Sequence, residues 1–247
     1  MHEQPVESSD RAPAADLEET LREAEIVALE QVAIGSNAVF YVRLAGLNGE
    51  LSAIYKPARG ERPLWDFPSG TLHRREVATA VVDRALGWGF TPATVLREKA
   101  PFGVGSIQEY VHEPGPQIVM DRERMEHRLR GLAAFDVVIN NADRKRAHLL
   151  VDPAGELKGI DHGVTFNTDF KLRTVLAELG GSPVPQEWLA GLSALVDDRD
   201  RMRRLRRQLR LLIAPAEVQA FEVRARQLLT AGVFPILHPW YGRPFEM

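Results

Sequence analysis

Short apolar runs rich in β-branched and aromatic residues recur through the first half of the chain. Runs of this kind, bounded by glycine, asparagine or proline, are typical of strands. The pattern predicts strands at Val39–Leu44, Leu51–Lys56, Thr94–Arg97 and Gly105–Val111. Asn48 and Gly49 both tolerate positive φ, so the first two strands are predicted to form a hairpin.

A helical repeat begins after the proline-rich segment 57–69. Apolar residues there fall at i, i+3, i+4 and i+7, which predicts a helix over Thr71–Leu86. Thr71 is a candidate N-cap, and Gly87 is suited to end the helix because glycine adopts positive φ without steric cost. The residues of the repeat are Ala78, Val81, Val82 and Ala85.

The second half of the chain has mostly helical periodicity, interrupted by one predicted hairpin, His148–Val151 with Glu156–Ile160. Helices are predicted at Arg122–Asn140, Phe170–Leu179, Glu187–Leu195, Arg199–Ile213 and Ala216–Leu229. This order predicts an α+β fold with a disordered tail (1–25), a β-rich N-terminal lobe with one helix (26–112) and a helical C-terminal lobe (113–247). The cleft between the lobes is the expected place for a ligand.

Composition and charge exclude several classes of function. The 247 residues carry a net charge of −3, so nucleic-acid binding is not expected. The chain has no cysteine and therefore forms no disulfide, thiolate zinc site or cysteine nucleophile. No stretch reaches about 18 apolar residues, and the acidic N-terminus does not resemble a signal peptide. A cytoplasmic protein without a transmembrane segment is expected.

The predicted helix at 199–213 is amphipathic and rich in arginine. A basic amphipathic helix can lie on an anionic membrane. The pairs Asp197–Arg201 and Asp200–Arg204 are spaced i, i+4 and favour instead an ordinary solvated face. Contact with a membrane surface is therefore not expected.

Three places in the N-terminal half carry residues suited to binding phosphate. The turn Gly35, Ser36 and Asn37 feeds a strand and either presents backbone N–H groups to phosphate oxygens or only reverses the chain. Lys56 ends an otherwise apolar strand, where an ammonium either meets an anion or reaches solvent at an edge. Glu76 lies off the apolar stripe of its helix and faces either solvent or Lys56.

The strongest concentration of candidate chemistry follows the apolar end of the predicted helix 122–140. Asp143 projects from a polar turn, and Asp161 follows the return strand of the small hairpin, which brings Asp161 close to His148. Two carboxylates and a third ligand suit magnesium on nucleotide phosphates, with Asp143 free to orient a hydroxyl nucleophile. A capped turn, in which Asp143 satisfies backbone N–H groups, is the alternative.

These motifs, in this order, resemble the phosphatidylinositol 3-/4-kinase-like family, in particular a small branch found in actinobacteria. HipA-type serine/threonine kinases are more distantly similar. The resemblance covers about Ile34–Leu195. Its motifs are Tyr55-Lys56-Pro57, residues 60–67, Arg75-Glu76, residues 140–145 and Ile160-Asp161-His162-Gly163. Within the second motif, Trp65 and Phe67 either pack on the N-terminal lobe or shape a substrate pocket.

The resemblance implies a two-lobed protein-kinase-like fold and an ATP-dependent phosphotransferase. Its cofactor would be magnesium or manganese, and its acceptor an unknown protein or small molecule. Lys56 would hold the nucleotide phosphates with Glu76 as its ion-pair partner, Asp143 would be the catalytic aspartate, and Asp161 would bind the metal. The linker that would offer backbone groups to adenine is Gln108, Glu109, Tyr110 and Val111.

Two positions depart from the family pattern. The histidine usual two residues after the aspartate is Lys145 here, and the metal-binding asparagine usual five residues after it is His148. An imidazole suits manganese or zinc better than magnesium. Lys145 either neutralises a transferring phosphate or marks a degenerate enzyme. Three functions stay open: a kinase, a nucleotide-binding pseudokinase or interaction module, and an AMP-transferring enzyme on the same fold.

Overall fold

An antiparallel sheet preceded by one helix forms the first half of the molecule. The computed structural model describes four stretches of the chain, residues 14–32, 37–46, 49–115 and 121–237. Helix α1 (Ala14–Glu23) leads into a five-stranded sheet of order β1-β2-β3-β5-β4. The strands are β1 (Ile26–Val32), β2 (Val39–Gly46), β3 (Gly49–Pro57), β4 (Thr94–Arg97) and β5 (Gly105–Glu109). The predicted β2–β3 hairpin is present, with Tyr41 opposite Ile54, while Asn48 of its turn lies outside the described residues.

One face of the sheet forms a hydrophobic core because side chains alternate along each strand. On β2, Phe40, Val42 and Leu44 are buried, and the fully buried Leu21 of α1 packs into the same cluster. The prediction of a disordered tail to residue 25 is therefore wrong for Ala14–Glu23, whose apolar side has a packed position. Strand β1 was not predicted because its side chains are only partly buried and lack a clean alternation.

Helix α2 (Leu72–Leu86) lies between the sheet and the helical half and packs against both. Its buried apolar residues in the helical core are Ala78, Val82 and Leu86. Gly87 ends the helix in the left-handed region at φ 74°, as predicted. Thr71 stands at the N-cap position, but its hydroxyl donates to the Pro68 carbonyl at 2.6 Å and caps no amide.

The second half packs helices around an aromatic cluster. Its described elements are α3 (Arg122–Ile139), β6 (Leu149–Val151), β7 (Leu157–Gly159), α4 (Gln186–Val196), α5 (Arg199–Leu209) and α6 (Pro215–Ala231). Phe90 and Trp188 lie with ring centroids 5.3 Å apart in this core. Gly131 of α3 faces them, because a Cβ at that position would lie 2.4 Å from the Trp188 ring. The close approach of α3 and α4 therefore depends on this glycine.

The helix predicted at Phe170–Leu179 is wrong, since only Ala177–Leu179 forms a short 3-10 turn. The backbone of this segment pairs instead with the polar turn after α3. The Arg173 amide donates to the Asn141 carbonyl, and the Arg173 carbonyl accepts from the Arg144 amide, each at 3.0 Å. Hydrogen bonds between distant segments have replaced the local bonds of a helix.

The arginine-rich helix α5 packs its apolar stripe into the core, and most of its arginines face outward. The buried residues of the stripe are Met202, Leu205 and Leu209. This placement agrees with the solvated face favoured from the sequence. Within the described stretches, no helix combines the length and the apolar character needed to cross a bilayer.

Candidate active site

Lys56 lies at the end of β3 and meets two carboxylates that come from distant parts of the chain. Its Nζ forms an ion pair with Glu76 of α2 and lies 2.9 Å from Asp161 Oδ1. The second oxygen of Glu76 accepts the backbone N–H of His162 at 2.8 Å. Glu76 is only 4% exposed, so the alternative in which it faces solvent is wrong.

The electrostatics of this trio follow from burial and close charge. Burial alone would lower the pKa of the Lys56 ammonium, but Asp161 and Glu76 outweigh it and raise that pKa. Lys56 in turn holds the pKa of Asp161 well below its usual range. Burial and the neighbouring charge of Asp161 raise the pKa of Glu76, against the effect of Lys56. Lys56 is therefore a fixed cation.

Asp161 follows β7 in an unusual backbone conformation. Its φ is 60°, in the left-handed region that non-glycine residues seldom adopt. The carboxylate spans two basic side chains, with Oδ1 on Lys56 and Oδ2 3.3 Å from His148 Nε2. The small hairpin therefore places His148 beside Asp161, as predicted.

Asp143 and Lys145 project from the polar turn after α3. The Asn141 side chain accepts the Asp143 amide at 3.0 Å and shapes the turn. Lys145 Nζ lies 3.0 Å from Asp143 Oδ2. Burial raises the pKa of Asp143, and the hydrogen bond from Lys145 opposes that effect. Asp143 keeps one carboxylate oxygen that its ion pair with Lys145 does not use.

Arg144, which the sequence analysis did not single out, connects the two halves of this site. It is fully buried and binds Asp136 with Nε to Oδ2 and NH2 to Oδ1, both at 2.9 Å. It also donates to the Ile160 carbonyl at 3.0 Å and contacts His162 Nε2 at 2.7 Å. Arg144 thus ties the Asp143 turn to the segment that carries Asp161. The signal in the sequence was Asp136, a charged residue inside an apolar helix end.

A cavity of about 260 Å³ lies between the sheet and the helical half at this point. Of the predicted site residues, it is lined by Asn37, Lys56, Glu76, Asp143, Lys145 and Asp161. His148 contacts Asp161 and is not among the residues that line the cavity. Gly35 and Ser36 of the predicted phosphate turn lie outside the described residues. The described end of that turn is held in place, since Asn37 Oδ1 accepts the Arg62 amide at 2.7 Å.

The predicted linker does not line this cavity. Gln108 is buried in β5, and its side chain donates to Thr94 Oγ1 at 2.8 Å. The amides of Glu109 and Tyr110 donate to the carbonyls of Ala93 and Ser52. These two amides are thus already engaged in the sheet.

The metal-binding capacity of the site is limited to few protein ligands. Among the described residues, no group of three histidine, cysteine or acidic side chains could hold a metal ion. Asp161 and His148 offer two potential metal ligands, Oδ2 and Nε2, which lie 3.3 Å apart. This donor set fits a cation that takes its remaining ligands from phosphate oxygens and water, as magnesium and manganese do on nucleotides.

Comparison with known proteins places the chain in a family. No family model matches it. Protein Rv2133c of Mycobacterium tuberculosis is 35% identical over an alignment of 251 positions, which covers 87% of this chain and 89% of that protein. This chain belongs to the family of Rv2133c. The name of that relative says nothing about activity.

Solved structures of similar shape are kinases. A structure of the Golgi casein kinase has a TM-score of 0.59 at 17% identity, covering 90% of this chain and 75% of that one. A second, with Mn/ADP bound, has a TM-score of 0.57 at 15% identity and covers 88% and 74%. A structure of a Helicobacter pylori proinflammatory kinase, CtkA, has a TM-score of 0.52 at 9% identity. It covers 87% of this chain and 95% of that one. At these identities the likeness shows the fold alone, and it confirms the predicted kinase-like α+β fold.

Proposed function

We propose that this chain is an ATP- and divalent-metal-dependent phosphotransferase that acts on a hydroxyl acceptor. The observation that carries the proposal is the convergence of Lys56, Glu76, Asp143 and Asp161 on one cavity. Phosphoryl transfer needs a fixed cation for phosphate oxygens, a carboxylate near the nucleophile and a second carboxylate for metal. The kinase folds of the structural neighbours support the same class of reaction.

Each group has a distinct part in this proposal. Lys56, oriented by Glu76, donates hydrogen bonds to nucleotide phosphate oxygens. Asp143 accepts a hydrogen bond from the attacking hydroxyl and orients it toward the terminal phosphorus. Lys145, already beside Asp143, offers a positive charge to the phosphate in transfer. In-line attack then needs little covalent chemistry from the protein, since positioning and charge do most of the catalysis.

Asp161 and His148 would hold the divalent cation. Bound there, magnesium or manganese would neutralise charge on the nucleotide phosphates. Manganese suits an imidazole ligand better than magnesium does, and one structure of the Golgi casein kinase contains Mn/ADP. Phosphate binding by the turn Gly35–Asn37 and adenine binding by the linker Gln108–Val111 belong to the same proposal.

The finer assignments are also proposals. They include membership of the phosphatidylinositol 3-/4-kinase-like group, the lobe boundaries 26–112 and 113–247, and a cytoplasmic location. The acceptor is proposed to be a protein or a small molecule, and nucleic acid is not a proposed partner. A cavity of about 260 Å³ with four acidic and several basic groups does not by itself select one acceptor.

Metal-dependent ATP turnover tests the proposal. We would measure ATP hydrolysis and binding by the purified chain with magnesium and with manganese, beside Asp143→Asn, Asp161→Asn and the exposed control Glu178→Gln. Asp143→Asn should lower turnover by at least about 100-fold, because it removes the acceptor for the nucleophile's proton. Asp161→Asn should abolish the metal-dependent turnover, because it removes a carboxylate ligand of the cation. Full turnover in both variants would refute the assignment.

A pseudokinase is the second candidate, and one observation favours it. Lys145 and Lys56 occupy one oxygen each of Asp143 and Asp161, so both carboxylates already have cationic partners. This candidate predicts ATP binding without turnover under either metal. Sustained turnover with manganese would exclude it, and the mass added to any modified protein would separate phosphate transfer from AMP transfer.

A further inference from the structure

A carboxylate–imidazole pair lies in the wall of the catalytic cavity and has no part in the chemistry proposed above. Glu61, in the loop between β3 and α2, and His73, in the first turn of α2, both line this cavity. Glu61 Oε1 accepts from His73 Nδ1 at 2.6 Å and from the His73 amide at 2.7 Å, and Oε2 accepts from the Leu72 amide at 3.1 Å. Glu61 therefore fixes both the imidazole ring and the start of α2.

The hydrogen bonds of Glu61 determine the orientation of the ring's proton. Burial would raise the pKa of this carboxyl, but the hydrogen bonds from His73 and the Leu72 amide outweigh burial and lower it. An ionised carboxylate only accepts hydrogen bonds, so His73 Nδ1 carries the proton and donates. In the neutral ring, Nε2 is then an acceptor with a free lone pair.

His73 Nε2 has no hydrogen-bond partner among the described residues. The residue is only 2% exposed, so solvent does not satisfy the nitrogen either. An unpaired buried polar atom is costly, and such atoms concentrate where a ligand completes the hydrogen bonding. The position of His73 in the cavity wall, one helical turn before Glu76, makes a ligand of this cavity the available partner.

The surroundings select the chemistry of that partner. A phosphate oxygen is an acceptor and cannot pair with Nε2 while the ring is neutral. A metal ion needs further ligands, and no described cluster of three suitable side chains includes His73. A cationic donor would compete with Lys56, Arg62 and Lys145, the cations that already line this cavity beside its carboxylates. A neutral hydroxyl group meets none of these objections.

We propose that His73 Nε2 accepts a hydrogen bond from an uncharged hydroxyl group of a molecule bound in the catalytic cavity, with Glu61 as the positioning residue. The inference rests on the proposed phosphotransferase function and adds a recognition group to it. The hydroxyl belongs either to the nucleophile (water in hydrolysis, an alcohol in transfer) or to the ribose of the nucleotide. The two sources share one chemistry and differ in what the loss of His73 changes.

Two substitutions separate the ring nitrogens. His73→Asn keeps an amide N–H near Nδ1 that can donate to Glu61, and it removes the acceptor at Nε2. His73→Gln is the matched control, because its carbonyl reaches the region of Nε2. Thermal unfolding checks that each variant folds. If His73→Asn does not fold, His73→Leu beside His73→Gln gives the same contrast between absent and present acceptors.

The experiment has a binding arm and a turnover arm, both with magnesium or manganese. Calorimetry gives the Kd of ATP, 2′-deoxy-ATP and 3′-deoxy-ATP, and steady-state hydrolysis gives kcat. A nucleophile contact predicts a kcat about 10-fold lower in His73→Asn with the Kd of ATP within 2-fold of wild type. A ribose contact predicts an about 10-fold weaker Kd for ATP and no change for one of the deoxynucleotides. In both cases His73→Gln retains most of the wild-type value.

Two results overturn the inference. One is a folded His73→Asn variant that matches wild type in both arms, and the other is an equal loss in His73→Gln and His73→Asn. Absence of ATP binding and turnover in the wild-type chain would overturn the proposed function, and this inference with it. An active wild-type enzyme whose His73→Asn variant matches it in both arms would overturn the inference alone.

Discussion

Removal of the Arg144 guanidinium should destabilise the protein more than its position in a turn would suggest. Arg144 and Asp136 are both fully buried, and two hydrogen bonds of 2.9 Å join them. Arg144→Met keeps much of the side-chain volume and leaves the Asp136 carboxylate as a buried charge. Among the described residues, the Asn141 side-chain amide, at 3.0 Å, is the donor that would remain to that carboxylate.

The expected loss is about 4 kcal/mol in the free energy of unfolding. Breaking a buried ion pair from one side costs about 3–5 kcal/mol, because the remaining charge has no compensation. The hydrogen bond from Asn141 reduces the expected loss of stability, because it still compensates part of the Asp136 charge. The loss of the donor to the Ile160 carbonyl increases it. The double variant Asp136→Leu, Arg144→Met removes both charges of this pair and should cost less than Arg144→Met alone.

Urea denaturation of five proteins measures these differences: wild type, Arg144→Met, Asp136→Leu, the double variant and the exposed control Arg146→Met. The control lies two residues away on the surface and should stay within about 0.5 kcal/mol of wild type. A loss below about 1 kcal/mol in Arg144→Met would refute the reasoning. So would a double variant whose loss equals the sum of the two single losses, since no coupling would then exist.

Three further outcomes follow from the packing. Gly131→Ala should cost about 1–3 kcal/mol in urea denaturation because its methyl would meet the Trp188 ring, and a neutral effect would contradict the close contact. Arg75→Met should cost about 3 kcal/mol and lower ATP turnover, since it leaves Glu217 buried without its cation, while a stable and fully active variant would show that α2 needs no such anchor. Trp65→Ala should change stability by less than about 0.5 kcal/mol, as its ring is 91% exposed; a loss above 1 kcal/mol would mean that the ring packs after all.

Elements whose geometry depends on local residues were predictable from the sequence. The period of apolar residues located α2, and Gly87 ended it where a positive φ was required. The strand Thr94–Arg97 was also placed with its correct bounds. In each case the local preference and the tertiary packing favour the same structure, so the local sequence pattern was sufficient to predict the element.

The errors arose where distant segments supply the hydrogen bonds. Residues 170–179 have a helical period, yet the amides and carbonyls of this segment pair with Asn141 and Arg144. Helix α1 was treated as a tail because its sequence is polar, and only the burial of Leu21 against the sheet explains its position. Periodicity carries no information about such partners.

The residues of the candidate site likewise fall into those that a local pattern predicted and those that depend on distant segments. Lys56 and Glu76 were proposed from the cost of burying charge: a lysine on an apolar strand needs an anion, and a carboxylate off an apolar stripe is a candidate to supply it. Asp161 was proposed because it follows the return strand of the small hairpin. Glu61 and His73 were missed, because a glutamate in a loop and a histidine at a helix start look like ordinary surface residues. Their pairing depends on the path of the loop after β3, which no local pattern specifies.

Buried charge around the site has a geometric role that stability alone would not explain. Arg75 and Arg144 each reach a carboxylate and a backbone carbonyl from another segment, and each adjoins a proposed site residue, Glu76 or Asp143. Apolar residues of similar volume would often serve stability as well or better. What they could not do is hold a carbonyl and a carboxylate at fixed directions. We infer that these arginines set the positions of Glu76 and Asp143. The double variant at Asp136 and Arg144 separates this role from stability, since it should recover stability without recovering turnover.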